Sequence, residues 1–149
     1  MHLHLVCPNC GTVNRLVGER LRTHWREARC PSCRANLVPA EPIAVGAAGL
    51  MREIERTDVP LLVDFWAPWC GPCRAMAPSF AEAAAMMAPK VRFLKVDTEA
   101  EPEAGARFAI RSIPTLALFV GGREVARQAG AMQTPQILRW IEQVGGVQP

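Results

Sequence analysis

The sequence predicts an α/β chain: a mixed central sheet with helices on both faces, preceded by a small metal-binding unit. Three observations predict it. From about residue 43 onward, strand-like apolar runs alternate with segments of helical spacing. All six cysteines of the 149 residues fall into C-x-x-C pairs, Cys7/Cys10, Cys30/Cys33 and Cys70/Cys73. Charge is unevenly shared: residues 1–42 hold six Arg against Glu19, Glu27 and Glu41, whereas the remainder is balanced. With 50% hydrophobic and 21% charged residues the chain has the balance of a globular protein, which excludes disordered, collagen-like and coiled-coil classes. The longest stretch free of Asp, Glu, Lys and Arg is Met1–Asn14, too short for the ~18 apolar residues of a membrane helix. Met1–Pro8 has neither a cationic start nor an apolar run of ~7–15 residues, so no secretory signal is read there and a cytoplasmic location is expected.

Taken in order, Val38–Gly46 carries Pro39, Pro42 and Gly46 among small apolar residues and reads as a linker into an edge strand. The boundary is placed near Glu41–Ile43, dividing the chain into 1–42 and 43–149. Leu50, Met51 and Ile54 predict a helix over Leu50–Arg56. Leu61–Trp66 is an apolar run broken only by Asp64, as in a central strand covered on both faces. Gly71–Ala88, rich in Ala and Met, predicts a long helix with Pro78 removing one backbone donor. Val91–Val96 predicts a strand, and Pro102–Ala109 a short helix with Pro near its start. Gly121-Gly122 between Thr115–Val120 and Glu124–Gln128 predicts an antiparallel hairpin. Thr134-Pro135 reads as N-cap and first residue of a last helix, with Ile137, Leu138, Ile141 and Val144 on its inner face and Gly145-Gly146 at its end.

The first two cysteine pairs form C-x2-C-x19-C-x2-C, a spacing suited to four thiolates around one zinc ion. A segment of about 42 residues buries too little apolar surface to fold unaided, and a metal supplies the missing stability. Cys7, Cys10, Cys30 and Cys33 are therefore read as ligands of one structural zinc, with His2, His4 and His24 as surface residues. Two metal-free redox pairs are the alternative. Six Arg around Trp25 also suggest a nucleic-acid surface, but four thiolates and one Zn²⁺ add −2 to the segment's charge of +3, so nucleic acid is not expected as a partner. Oxidation of these thiolates could release the metal and unfold the segment.

The third pair stands where a buried strand passes into a helix. A thiol at a helix N-terminus is favoured as thiolate, so Cys70 is read as the nucleophile; Cys73, one turn further, is close enough to attack a sulfur bonded to it. Gly71-Pro72 keeps the turn tight and open to a partner's backbone. Asp64, six residues earlier among apolar neighbours, is placed to accept a proton from Cys73, because a buried acid without a partner has a raised pKa.

The segments Asp64–Cys73, Lys95-Val96-Asp97, Arg111–Thr115 and Gly130-Ala131 resemble thioredoxin in order and spacing, over the whole of residues 43–149. With four cysteines in front, the chain resembles the bacterial two-domain type, thioredoxin 2. Arg74 and Pro68 depart from the commonest pattern without touching the chemistry. The resemblance implies a thioredoxin fold and a protein-disulfide reductase that works through Cys70 and Cys73 and is recharged by thioredoxin reductase with NADPH. It implies a cis bond before Pro114, Lys95 near Asp64, and a docking surface of Trp69, Gly71, Pro72, Ile113, Pro114, Gly130 and Ala131. Oxidised proteins and the reductase are then the expected partners of a monomer that binds no membrane and holds no organic cofactor. An oxidising or isomerising enzyme on the same fold, separable by redox potential, and a zinc-dependent holdase with a vestigial dithiol are the competing readings.

Overall fold

A computed structural model describes all of residues 1–149. The N-terminal segment contains β1 (His2–Val6) and β2 (Val13–Val17), an antiparallel hairpin, followed by α1 (Gly18–Thr23) and a single tight turn at Trp25–Glu27. The two C-P-x-C turns repeat one backbone design. Cys7 N–H donates to Thr12 C=O as Cys30 N–H donates to Ala35 C=O, and Gly11 and Arg34 N–H donate back to Cys7 and Cys30 C=O. The fifth residue of each turn, Gly11 at φ +77° and Arg34 at φ +66°, takes the left-handed conformation this requires. Leu5, Leu21, Trp25, Ala28, Leu37 and Val38 pack around Cys7 and Cys30, and Val59 and Ala88 from the rest of the chain close the same cluster.

The remaining elements are β3 (Ile43–Ala44), α2 (Ala47–Arg56), β4 (Leu61–Trp66), α3 (Gly71–Met87), β5 (Arg92–Asp97), α4 (Pro102–Arg107), β6 (Thr115–Val120), β7 (Arg123–Ala129) and α5 (Thr134–Gly145). They make a five-stranded mixed sheet of order β3-β5-β4-β6-β7, in which β4 runs parallel to β5 and antiparallel to β6. This is the expected α/β architecture, with β4 central and two-residue β3 at an edge. Side chains alternate across β4. Leu62 enters a cluster with Met76, Phe80, Phe93, Leu116, Leu118, Ile137 and Ile141 beneath α3 and α5. Val63 and Phe65 enter another with Leu50, Ile54, Leu94 and Val96 beneath α2 and α4. By the same alternation Asp64 and Trp66 lie on the α3 side.

Three local expectations are corrected. The α5 cap is Gln133, which exchanges side-chain and backbone hydrogen bonds with Gln136; the Thr134 hydroxyl is turned away, donating to Ser79 C=O at 3.3 Å. Val144 is exposed rather than part of the inner face of α5, which is carried by Ile137 and Ile141. α2 begins at Ala47, ahead of Leu50, because the Glu101 carboxylate accepts the Ala47 N–H at 3.2 Å and so satisfies one unpaired donor of its first turn. Gly121 and Gly122, at φ +61° and +83°, form the β6–β7 hairpin as expected.

Candidate functional site

Cys70 is the N-cap of α3 and is joined to Cys73 by a disulfide, their Cα atoms 5.2 Å apart. Gly71 is the first helical residue and Pro72 the second, where a missing N–H costs nothing. The Cys73 N–H donates to Cys70 Sγ at 3.2 Å, so a helix-terminal donor already points at the sulfur where negative charge would develop. Both cysteines are nearly buried, and next to them Trp69 is 66% exposed. A side chain at Gly71 would meet nothing within 4 Å, so the face in front of the disulfide is open.

The Ile113–Pro114 peptide is cis, and the Ile113 carbonyl oxygen lies 3.7 Å from Cys70 Sγ. Gly130, at φ +100°, donates its N–H to Pro114 C=O at 2.9 Å, bringing the start of β6 and the end of β7 to the same rim. Shallow grooves flank the disulfide. Trp69, Ile110, Arg111, Ser112 and Ile113 line one, and Met76, Ala131, Met132 and Gln133 belong to the other.

Asp64 is 1% exposed, and its Oδ1 has no hydrogen-bond partner. Burial pushes its carboxyl up to about 7, against a smaller lowering by the Lys95 ammonium. Lys95 is the register partner of Asp64 on β5. Its Nζ sits 4.4 Å from the centre of the Trp66 ring, a residue that sequence reasoning did not single out. The only signal for Trp66 was its two-residue offset from Asp64, which puts both on one face of β4.

Cys7, Cys10, Cys30 and Cys33 bring their sulfurs within 4.8 Å of one another, with Cys7–Cys33 at 3.5 Å and Cys10–Cys30 at 3.7 Å. A tetrahedron of sulfurs about 2.3 Å from a zinc ion has edges of about 3.8 Å, so the cluster fits that ion. Donors surround the sulfurs as thiolates require: Asn9 and Cys10 N–H point at Cys7 Sγ, and the Asn14 amide at Cys30 Sγ. No histidine joins the cluster. His4 instead pairs with Asp58 at 3.0 Å, and His2 and His24 are exposed. No helix is long and apolar enough to cross a membrane.

The family model described as Thioredoxin matches residues 43–143. Thioredoxin C-3 of Corynebacterium nephridii is 44% identical over 139 residues, covering 93% of this chain and 93% of that protein. So long a match extends well into the cysteine-bearing N-terminal segment. The thioredoxin of Haemophilus influenzae is 39% identical over 104 residues, 70% of this chain and 97% of its own length. Among solved structures, Malassezia sympodialis thioredoxin superposes with a TM-score of 0.61 at 27% identity, covering 68% of this chain and 88% of that one.

Proposed function

The chain belongs to the thioredoxin family of thiol–disulfide oxidoreductases, and from that premise we propose that it reduces protein disulfides through Cys70 and Cys73, with Asp64 as proton acceptor. The observation that carries this reading is the Cys70–Cys73 disulfide at the start of α3, on the face of β4 where a buried carboxyl has an oxygen without a partner. In the reduced protein the Cys70 thiolate attacks one sulfur of a substrate disulfide. That S–S bond breaks, a substrate thiolate leaves, and a mixed disulfide forms. Cys73 then passes its proton to the Asp64 carboxylate and attacks Cys70 Sγ, releasing the second substrate thiolate and closing the disulfide seen here. Two electrons from a thioredoxin reductase, drawn from NADPH, return the dithiol.

The backbone at Ile113 and Gly130 and the exposed face of Trp69 support docking of an extended substrate segment. With Gly71, Pro72, Pro114 and Ala131 they offer few side-chain pockets, which suits many protein substrates. Lys95 tunes Asp64 by its charge. Residues 1–42 form a second unit in which Cys7, Cys10, Cys30 and Cys33 would hold one zinc ion. The ion supplies cross-linking of a segment too small to hold itself together, and a closed four-sulfur set leaves no position for catalysis. Thiolates that must stay reduced to bind metal suit a reducing compartment such as the cytoplasm.

Turbidity assays of insulin reduction with Cys70→Ser and Cys73→Ser test the assignment. Both lose turnover, and Cys73→Ser accumulates a mixed disulfide visible by mass spectrometry. Full activity in Cys70→Ser overturns it.

A further inference from the structure

The most completely bonded buried charged side chain in the molecule lies at neither cysteine centre. Arg92, the first residue of β5, is 7% exposed, and Glu53 on α2 is 2% exposed. Arg92 Nη1 donates to both Glu53 carboxylate oxygens, at 3.1 and 3.0 Å, and to the Val6 carbonyl at 2.7 Å. Nη2 donates to the Leu37 carbonyl. The Val6 N–H in turn donates to the Thr57 hydroxyl at 3.1 Å, and that hydroxyl donates to Glu53. Val6 is the residue before Cys7, and Leu37 follows Cys33 by four. One guanidinium thus holds a carboxylate of the five-stranded domain and a carbonyl from each flank of the four-cysteine cluster.

We propose that Arg92 couples metal occupancy of the Cys7, Cys10, Cys30 and Cys33 cluster to the stability of the five-stranded domain, through its simultaneous bonds to Glu53, Val6 and Leu37. This rests on the zinc reading above. The Val6 and Leu37 carbonyls converge only while the chain around the four sulfurs is closed. If the segment opens, Arg92 loses two acceptors, the Thr57 hydroxyl loses its Val6 donor, Val59 and Ala88 lose their apolar cover, and water reaches the seam between the end of α2 and the start of β5. Coupling of this kind is reciprocal, so the folded sheet domain also tightens the binding of the metal. The other contacts across the seam, His4 with Asp58 and Arg52 with the Gly11 carbonyl, are exposed and contribute less.

The test uses the full-length reduced protein and the rate at which zinc passes to a chromophoric chelator. Arg92→Met is expected to speed transfer by ~10-fold or more, since buried hydrogen bonds to a charged group are lost. Arg127→Met, which removes the exposed pair with Glu124, leaves the rate unchanged. In hydrogen exchange, stripping zinc from the wild type deprotects Glu53–Asp58 and the first residues of β5 as well as the N-terminal segment; in Arg92→Met it deprotects the N-terminal segment alone. If Arg92→Met does not fold, Thr57→Val, which cuts the link to Val6, is expected to speed transfer by ~3-fold. Equal transfer rates in wild type and variant, or a sheet domain whose exchange ignores zinc removal, overturn the proposal while leaving the zinc reading intact. Wild-type protein purified under reducing conditions without bound zinc overturns both.

Discussion

Asp64 and Lys95 face each other in register across β4 and β5, yet no ion pair joins them: the ammonium lies over the Trp66 ring, and Asp64 Oδ1 has no partner. The carboxyl therefore experiences the charge of Lys95 at a distance while burial dominates, and it is held near 7 instead of the usual range near 4. That places its ionisation where it can both take and return a proton at neutral pH.

The first consequence is a pH-dependent stability. An unfolded chain releases this proton near pH 4, the folded one near 7, so between those values the folded state binds more protons. Stability from this group is complete below about 4 and falls as pH rises through 7, by up to about 4 kcal/mol. Asp64→Ala abolishes the fall. Denaturant titrations are expected to find it more stable than wild type at pH 8 and not at pH 4.

With Asp64 as the proposed proton acceptor, the same titration is expected to govern the resolving step. Release of substrate from the mixed disulfide, followed by stopped flow, should accelerate through about pH 7 as the Asp64 carboxylate forms. Asp64→Asn flattens that inflection and slows the step by ~10²-fold, within the range of general base catalysis. A wild-type inflection surviving in Asp64→Asn assigns it to another group.

Lys95→Met removes the positive charge that lowers the Asp64 pKa. The inflection should move to higher pH. Trp66→Phe, which weakens the cation–π contact fixing the ammonium, should move it too, by a smaller amount. Carboxyl resonances followed by NMR against pH measure both shifts directly.

At the other centre, Cys10→Ser leaves three thiolates and should abolish stoichiometric zinc in a metal analysis. Secondary structure of the N-terminal segment is lost with it. The Cys70–Cys73 chemistry persists, because neither sulfur belongs to that cluster.

Alternating segments made the mixed sheet and the central position of β4 legible from sequence, though not the full strand order, and Asp64 stood out because it interrupts an apolar run. The cysteine pairs separated themselves by spacing. What escaped was pairing over long distances. An Arg opening a strand reads as solvated, and nothing local ties residue 92 to carbonyls 86 and 55 positions away. The α5 cap escaped for a related reason: Thr-Pro is a good helix start, but the Thr134 hydroxyl is taken by Ser79 on α3. The hairpin β1–β2 has only a short local signal, the alternation of His2–Val6, and its pairing with Val13–Val17 is closed across the Cys7–Cys10 turn.

α3 begins with Cys70 as its cap, and Ala88, just past its end, packs into the cluster around Cys7 and Cys30. Seventeen helical residues span about 25 Å. The helix is thus an insulator between two sulfur chemistries. A dithiol able to exchange with any nearby disulfide cannot reach the four thiolates of its own chain, so internal scrambling is barred by length alone. Direct thiol–disulfide exchange between the two sets of sulfurs is therefore left to encounters between molecules, at a rate that rises with protein concentration.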